Sequence, residues 1–346
     1  MTDNAARNHA GRWPERLPQC IVSTAVLLLW LALATPATVW AQAARPDPLE
    51  SVVQIRALIP ADARTAATLG TEREGSGAVI DDSGLILTIG YLILEANEVS
   101  IAGVGPESVA ADIVAYDHES GFGLLRAQRP LDVAPLALGD SAALRPRQPL
   151  LVVSRIGELD AGGVYVADRR VFAGYWEYML EDAIFTTPPR ADFGGAALID
   201  QGGRLVGIGS LIVNDAGQDQ RPIPGNMFVP IDQLKPIMGD LLANGRRSNP
   251  PRPWLGLSLE EHRGRVFVTR VTPDGPAAAA GIQADDLILG VGGAPVEGLA
   301  DFYRKLWSLG DAGVVVPLDL LQGIETQEMS VRSGDRYRFL KLNPTY

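Results

Sequence analysis

The chain is nearly free of thiols: its one cysteine is Cys20. Disulfides, thiolate nucleophiles and cysteine-bound zinc are therefore excluded downstream of that residue, and stability there must come from packing alone. Lysine is almost as scarce, with Lys235, Lys305 and Lys341 only. Beyond the N-terminal segment, His118 and His262 lie far apart, neither with a second histidine at ligand spacing, so no metal or other cofactor is expected. Basic residues number 30 against 41 acidic ones, a formal net charge of −11, and no basic cluster offsets it. Nucleic acid, whose affinity rests on neutralising phosphates, is set aside as a partner.

Long hydrophobic runs are also few. One, Ile21 to Ala34, follows Arg7, Arg12 and Arg16 and precedes Ala41-Gln42-Ala43. A basic start, a short apolar stretch and a small-x-small site predict a signal peptide over residues 1–43 and an exported mature chain from Ala44. The alternative is an uncleaved inner-membrane anchor, since residues 20–41 approach the about 20 residues a spanning helix needs.

From Ser51 to about Val229, short apolar runs such as Val52-Val53-Gln54-Ile55 and Leu150-Leu151-Val152-Val153 alternate with Gly, Asp and Pro turns. That spacing predicts an all-β barrel or sandwich. A helix is expected from Pro230 to Ala243, with Ile231, Leu234, Ile237, Met238, Leu241 and Leu242 on one face, ending at Asn244-Gly245. The proline-rich stretch 246–253 reads as a linker, and residues 254–343 as a compact module of mixed α and β, with a helix over Leu299 to Leu309.

Asp192-Phe193-Gly194 has the form of the metal-holding triplet of a kinase. With all three lysines downstream of it, no strand lysine exists to pair with a nucleotide, and that reading fails. His118, in "YDHESG", reads as part of a solvated loop, and His262 as an exposed turn residue.

Three segments carry a resemblance. "GSGAVIDDSGLILTIGYLILEANEVSI" (75–101), "VAYDHESGFGLLRA" (114–127) and "ADFGGAALIDQGGRLVGIGS" (191–210) resemble, in order, the histidine, aspartate and serine segments of the HtrA family. These are exported trypsin-fold serine proteases with C-terminal PDZ domains. The resemblance implies a mainly β chain: a trypsin-like double β-barrel over 48–245, then a smaller α+β PDZ domain over 254–343. The three triad positions hold Tyr91, Gly121 and Phe193, and Ala191 stands where a glycine shapes the oxyanion hole. A serine hydrolase needs a hydroxyl, an imidazole and a carboxylate. The expectation is therefore a homologue that is not an enzyme, a pseudoprotease with no catalytic residues. A serine endopeptidase with a rearranged site is the enzyme alternative.

"PWLGLSLEE" (253–261) resembles the carboxylate-binding loop of a PDZ domain. Trp254, Leu255, Gly256 and Leu257 would form the loop and Leu259 the peptide-receiving strand, while Tyr303 and Leu306 on the helix would line the other wall. "VTPDGPAAAAGIQADDLILGVGGAPV" (271–296) extends the match. The implied partners are protein C-termini or unfolded polypeptides in the periplasm. The role would be that of an adaptor, chaperone or regulator in envelope protein quality control or complex assembly, or else a structural subunit of an envelope complex. Family members often trimerise through an aromatic N-terminal segment. None of Phe, Tyr or Trp occurs between Ala44 and Gly90, so a trimer is not expected.

Overall fold

The computed structural model describes residues 47–217 and 222–342. The predicted signal peptide, residues 1–43, lies outside the described residues, as does the final residue of the predicted 254–343 module. Six strands make the first barrel: β1 (Val52–Leu58), β2 (Glu72–Val79), β3 (Leu85–Ile89), β4 (Glu98–Ala102), β5 (Val109–Tyr116) and β6 (Phe122–Ala127). They close in the order β1-β2-β3-β6-β5-β4. β5 shows why the sequence folds this way. Val109, Ala111, Ile113 and Ala115 point inward while Ala110 and Asp112 face water, the period of two that a half-buried strand requires. A short helix, α1 (Ala66–Leu69), sits in the β1–β2 connection.

The second barrel closes as β10-β11-β12-β9-β8-β7. Its strands are β7 (Pro149–Ile156), β8 (Glu158–Gly174), β9 (Tyr178–Thr187), β10 (Ala197–Ile199), β11 (Leu205–Val213) and β12 (Gly225–Pro230). β8 runs for 17 residues, far beyond the about six of an ordinary strand. Register shifts at Val166/Asp168 and Arg170/Phe172 bend the β8–β9 hairpin. Its far end, with Val171 and Ala173, packs on the core of the C-terminal module.

The predicted helix over Pro230 to Ala243 forms only in part. Ile231–Gln233 makes a 3-10 turn, and the α-helix, α2, is Met238–Asn244. Pro236 accounts for the late start, because it disfavours helical backbone at the residue before it and carries no N–H. Gly245 then ends the helix in the left-handed conformation, at φ 71°.

The C-terminal module is a sheet ordered β13-β14-β15-β17-β18, with β16 paired to β15. The strands are β13 (Leu257–His262), β14 (Arg265–Val271), β15 (Leu287–Val291), β16 (Ala294–Pro295), β17 (Val315–Gln322) and β18 (Glu325–Arg332); the helices are α3 (Pro276–Ala280), α4 (Leu299–Ser308) and α5 (Arg336–Phe339). On α4, Leu299, Phe302, Tyr303 and Leu306 are buried, the spacing of one helix face. Each such side chain contributes about 1.5–3 kcal/mol by leaving water. The architecture is thus mainly β, two barrels followed by an α+β module, as expected.

Residues 246–253 lack regular structure but are not a free tether. Arg247 donates from Nε and Nη2 to both oxygens of buried Asp117, each at 2.8 Å. Arg252 pairs with Glu119 at 2.8 Å and lies over the Trp307 ring, 4.4 Å from its centre.

Candidate functional site

Two places bring together the residues that the sequence singled out. The first lies where the barrels meet. Gly90 donates its N–H to the Gly121 carbonyl at 2.7 Å, and Ser76 donates to the Gly194 carbonyl at 2.8 Å. The segments bearing Tyr91, Gly121 and Phe193 therefore converge. Tyr91 Oη donates to the Ser210 carbonyl at 3.1 Å, and burial raises its pKa above the ordinary tyrosine value. A Cβ built on Gly194 would stand 3.0 Å from that hydroxyl, so the Tyr91 ring fills the space beside the loop. Gly121 has φ +82°, and a Cβ there would meet Tyr178 Oη at 3.1 Å. That hydroxyl donates to the Ser120 carbonyl at 2.6 Å. Phe193 is half-buried, and Ala191 is exposed. None of these three side chains offers a hydroxyl nucleophile, an imidazole base or a carboxylate in the roles that peptide hydrolysis by a triad assigns.

The second place is the carboxylate loop. Gly256, at φ +81°, turns the chain so that three successive N–H groups converge. They hold the carboxylate of Glu177, which comes from the turn between β8 and β9. Leu255 N and Gly256 N donate to it at 2.9 and 2.6 Å, and Leu257 N at 2.8 Å. Next along the strand edge, Leu259 N donates to the Tyr175 carbonyl at 2.8 Å. From the helix wall, Tyr303 Oη donates to the Gly174 carbonyl at 2.7 Å and accepts from Glu177 N at 3.1 Å. The side chains of Leu255, Leu257, Leu259, Tyr303 and Leu306 belong to the core of the module. Trp254 is buried against Phe339, ring centres 4.6 Å apart.

Glu177 is 5% exposed. Burial raises its pKa, and the N–H donors of Leu255 and Leu257, with Arg336 behind them, offset this only in part. Sequence reasoning missed Glu177. The signal it passed over was "GYWEY" (174–178), an aromatic-rich run in what reads as a turn.

Beside this loop lies a small pocket whose lining includes His118, Glu119, Arg252 and Arg336. His118 was expected on a solvated loop but is buried, because the ion pairs of Asp117 and Glu119 with Arg247 and Arg252 fold that loop inward. Its Nδ1 has no hydrogen-bond partner among the described residues, and its ring meets Tyr337 edge-on at 4.6 Å. Burial holds its pKa down to about 3, with Arg336 adding to the effect and Asp117 opposing it.

Between an unfolded-state value near 6.5 and the folded value, the unfolded chain takes up a proton that His118 refuses, so stability falls as pH drops through that window. We expect the urea midpoint to decline from pH 6.5 downward, and His118→Phe to flatten the decline. Equilibrium unfolding at a series of pH values measures both. Among the described residues no three His, Cys, Asp or Glu side chains cluster as metal ligands, and no helix is long and apolar enough to cross a membrane.

A pair of closed six-stranded barrels joined to a module with a carboxylate loop defines the class: a trypsin-like peptidase domain with a PDZ domain. Residues 75–208 match the trypsin-like peptidase domain family, and residues 253–332 the PDZ domain family. In sequence the chain is similar to periplasmic serine endoproteases that carry these two domains. It is 26% identical over 278 residues to a probable periplasmic serine endoprotease, DegP-like, of Pseudomonas putida, covering 75% of this chain and 55% of that protein. With the periplasmic pH-dependent serine endoprotease DegQ of Escherichia coli it shares 27% over 271 residues, 74% of this chain and 58% of that one. The chain thus spans a little over half the length of these relatives. In fold it is similar to the HtrA-type protease AlgW with a decapeptide, with a TM-score of 0.51, 18% identity and coverage of 87% of this chain and 98% of that one.

These relatives correct one expectation. The sequence reading placed the chain outside the enzymes, as a pseudoprotease, on the strength of Tyr91, Gly121 and Phe193. The proteins it matches over about three quarters of its length are named serine endoproteases, which points to an enzyme. The physical reason is one of scope: side chains at three positions limit which groups can act there, and do not decide the activity of the whole domain.

Proposed function

We propose that this chain is an exported, periplasmic member of the HtrA class that handles polypeptides, receiving their C-terminal carboxylates or exposed segments in the PDZ groove. The role fits envelope protein quality control, as adaptor, chaperone or regulator, within the serine endoprotease class of its relatives. One observation carries the reading: the N–H groups of Leu255, Gly256 and Leu257 converge on a single carboxylate at 2.6–2.9 Å, the arrangement that captures a chain terminus. The strand edge at Leu259 supplies the next backbone donor. Tyr303, named from sequence as a groove-lining residue, supports the reading by bonding the segment that lies there.

Titrating the mature chain with peptides bearing free C-termini tests this. Binding should weaken about ten-fold or more when the same peptides are amidated, because hydrogen bonds to a charged acceptor are the ones lost. Equal binding of both forms would retire the reading. Digestion of unfolded casein addresses the enzyme class separately. Cleavage blocked by a serine-directed inhibitor would place the hydroxyl at a residue other than Phe193, which has none.

A further inference from the structure

We propose that the turn Tyr175–Glu177 is the resident ligand of the PDZ groove, and that a carboxylate-ended polypeptide enters only by displacing it. This rests on the peptide-binding reading above and specifies how that site is regulated.

The turn reproduces both halves of the recognition that a bound C-terminus would make. Its Glu177 carboxylate takes all three convergent N–H groups of the loop, at 2.9, 2.6 and 2.8 Å. Its Tyr175 carbonyl takes the Leu259 N–H. β13 is the edge strand of its sheet, so that donor faces outward from the ladder, where an added strand would pair. The opposite wall is engaged too, since Tyr303 Oη bonds both Gly174 and Glu177. Met179, at the start of β9, is 8% exposed and joins the core of the module. At the rim, Arg304 of α4 pairs with Glu181 of β9 at 2.6 Å. An incoming carboxylate and Glu177 therefore compete for the same donors, and both cannot be held.

The contact is assembled at a local cost. Glu177 has φ +53°, a left-handed conformation that side chains other than glycine, asparagine and aspartate adopt rarely. Its charge is also removed from water: it is 5% exposed, with Arg336 as the cationic group facing it and the Tyr303 hydroxyl against its backbone. A three-residue hairpin loop commonly carries glycine at such a position. Glutamate there costs the hairpin strain and desolvation, and what it gains is the bond to the loop. An occupant held at internal cost is one that an unstrained terminal carboxylate can replace.

The test uses the mature full-length chain as wild type, Glu177→Ala and Glu177→Gln, each checked for an unchanged cooperative melt. The first measurement is amide hydrogen exchange at Leu255, Gly256, Leu257 and Leu259. The second is capture of a pool of random nonapeptides with free C-termini, and of the same pool amidated. Both variants should exchange faster at the loop amides. Glu177→Ala should capture the free-carboxylate pool about ten-fold more tightly than wild type, with Glu177→Gln between, as loss of charge-assisted bonds to the occupant implies. Unchanged exchange in Glu177→Ala, or measurable capture that is equal for wild type and Glu177→Ala, would overturn the proposal. Faster exchange with no capture by any of the three proteins would establish Glu177 as the occupant and retire the peptide-binding reading instead. Glu177→Gln guards against a folding artefact, since it keeps the shape of the side chain.

Discussion

Gly195→Ala is expected to cost the barrel pair a large part of its stability. Gly195 sits at φ +73°, and a Cβ built there would lie 1.9 Å from the Ser76 carbonyl oxygen and 2.6 Å from Thr88 Oγ1. Neither obstacle can move away cheaply. The Ser76 carbonyl is backbone within β2, and Thr88 Oγ1 is tied to it by a 2.7 Å bond. The left-handed conformation alone costs a non-glycine residue about 1–2 kcal/mol, and overpacking a filled site about 1–3 more. Relief would require β2 and the 193–195 loop to separate, breaking the Ser76–Gly194 bond that joins the two barrels. Against a typical stability of about 5–15 kcal/mol, a melting point lowered by ten degrees or more, or no cooperative melt, is expected. Gly163→Ala is the control. That glycine is exposed with nothing within 4 Å of the added Cβ, so its substitution should leave the melt unchanged. A Gly195→Ala protein that melts with wild type would show that the loop is not close-packed.

Arg247→Ala is the second large effect. The Asp117 side chain is 0% exposed and accepts from Arg247 twice, from Ser120 N at 2.9 Å and from Ser120 Oγ at 2.6 Å. Removing the arginine strands a carboxylate in the interior, which typically costs about 3–5 kcal/mol. Asp117→Asn with Arg247→Met should lose less than the two single substitutions together, since it leaves no unpaired charge. Urea midpoints of the four proteins measure the coupling, and strict additivity would refute it. The sign with pH follows. Burial alone would raise the pKa of Asp117, but the bonds and charge of Arg247 override it and hold the carboxyl below its ordinary value. Its contribution is therefore present above the unfolded-state value and is lost as pH falls through the lowered one.

How far the sequence disclosed this molecule depends on the range of the interaction concerned. The barrels were legible because strand periodicity and glycine turns are local properties, as in β5 and at Gly195. The carboxylate loop was legible for the same reason: Leu255-Gly256-Leu257 is a local device. The helix after Pro230 was misjudged by weighing its apolar face above Pro236. His118 was misplaced because its polar neighbours suggest water. Their partners, Arg247 and Arg252, lie some 130 residues away, and no local pattern announces such pairing. Glu177 escaped notice on the same ground, its significance residing wholly in a loop 78 to 80 residues downstream. The triad positions were assigned by resemblance alone, and the conclusion drawn from them about enzyme class did not hold.

The pinning of residues 246–253 by Asp117 and Glu119 has a kinetic and thermodynamic corollary. A ligand carried on the same chain as its receptor does not dilute, and a short connection gives it an effective concentration in the millimolar range. Arg247 and Arg252 shorten that connection further by fixing its path across the first barrel. A competing chain end at micromolar abundance thus faces an opponent that is always at hand. Many exposed termini held close together would meet that threshold where a single stray terminus would not.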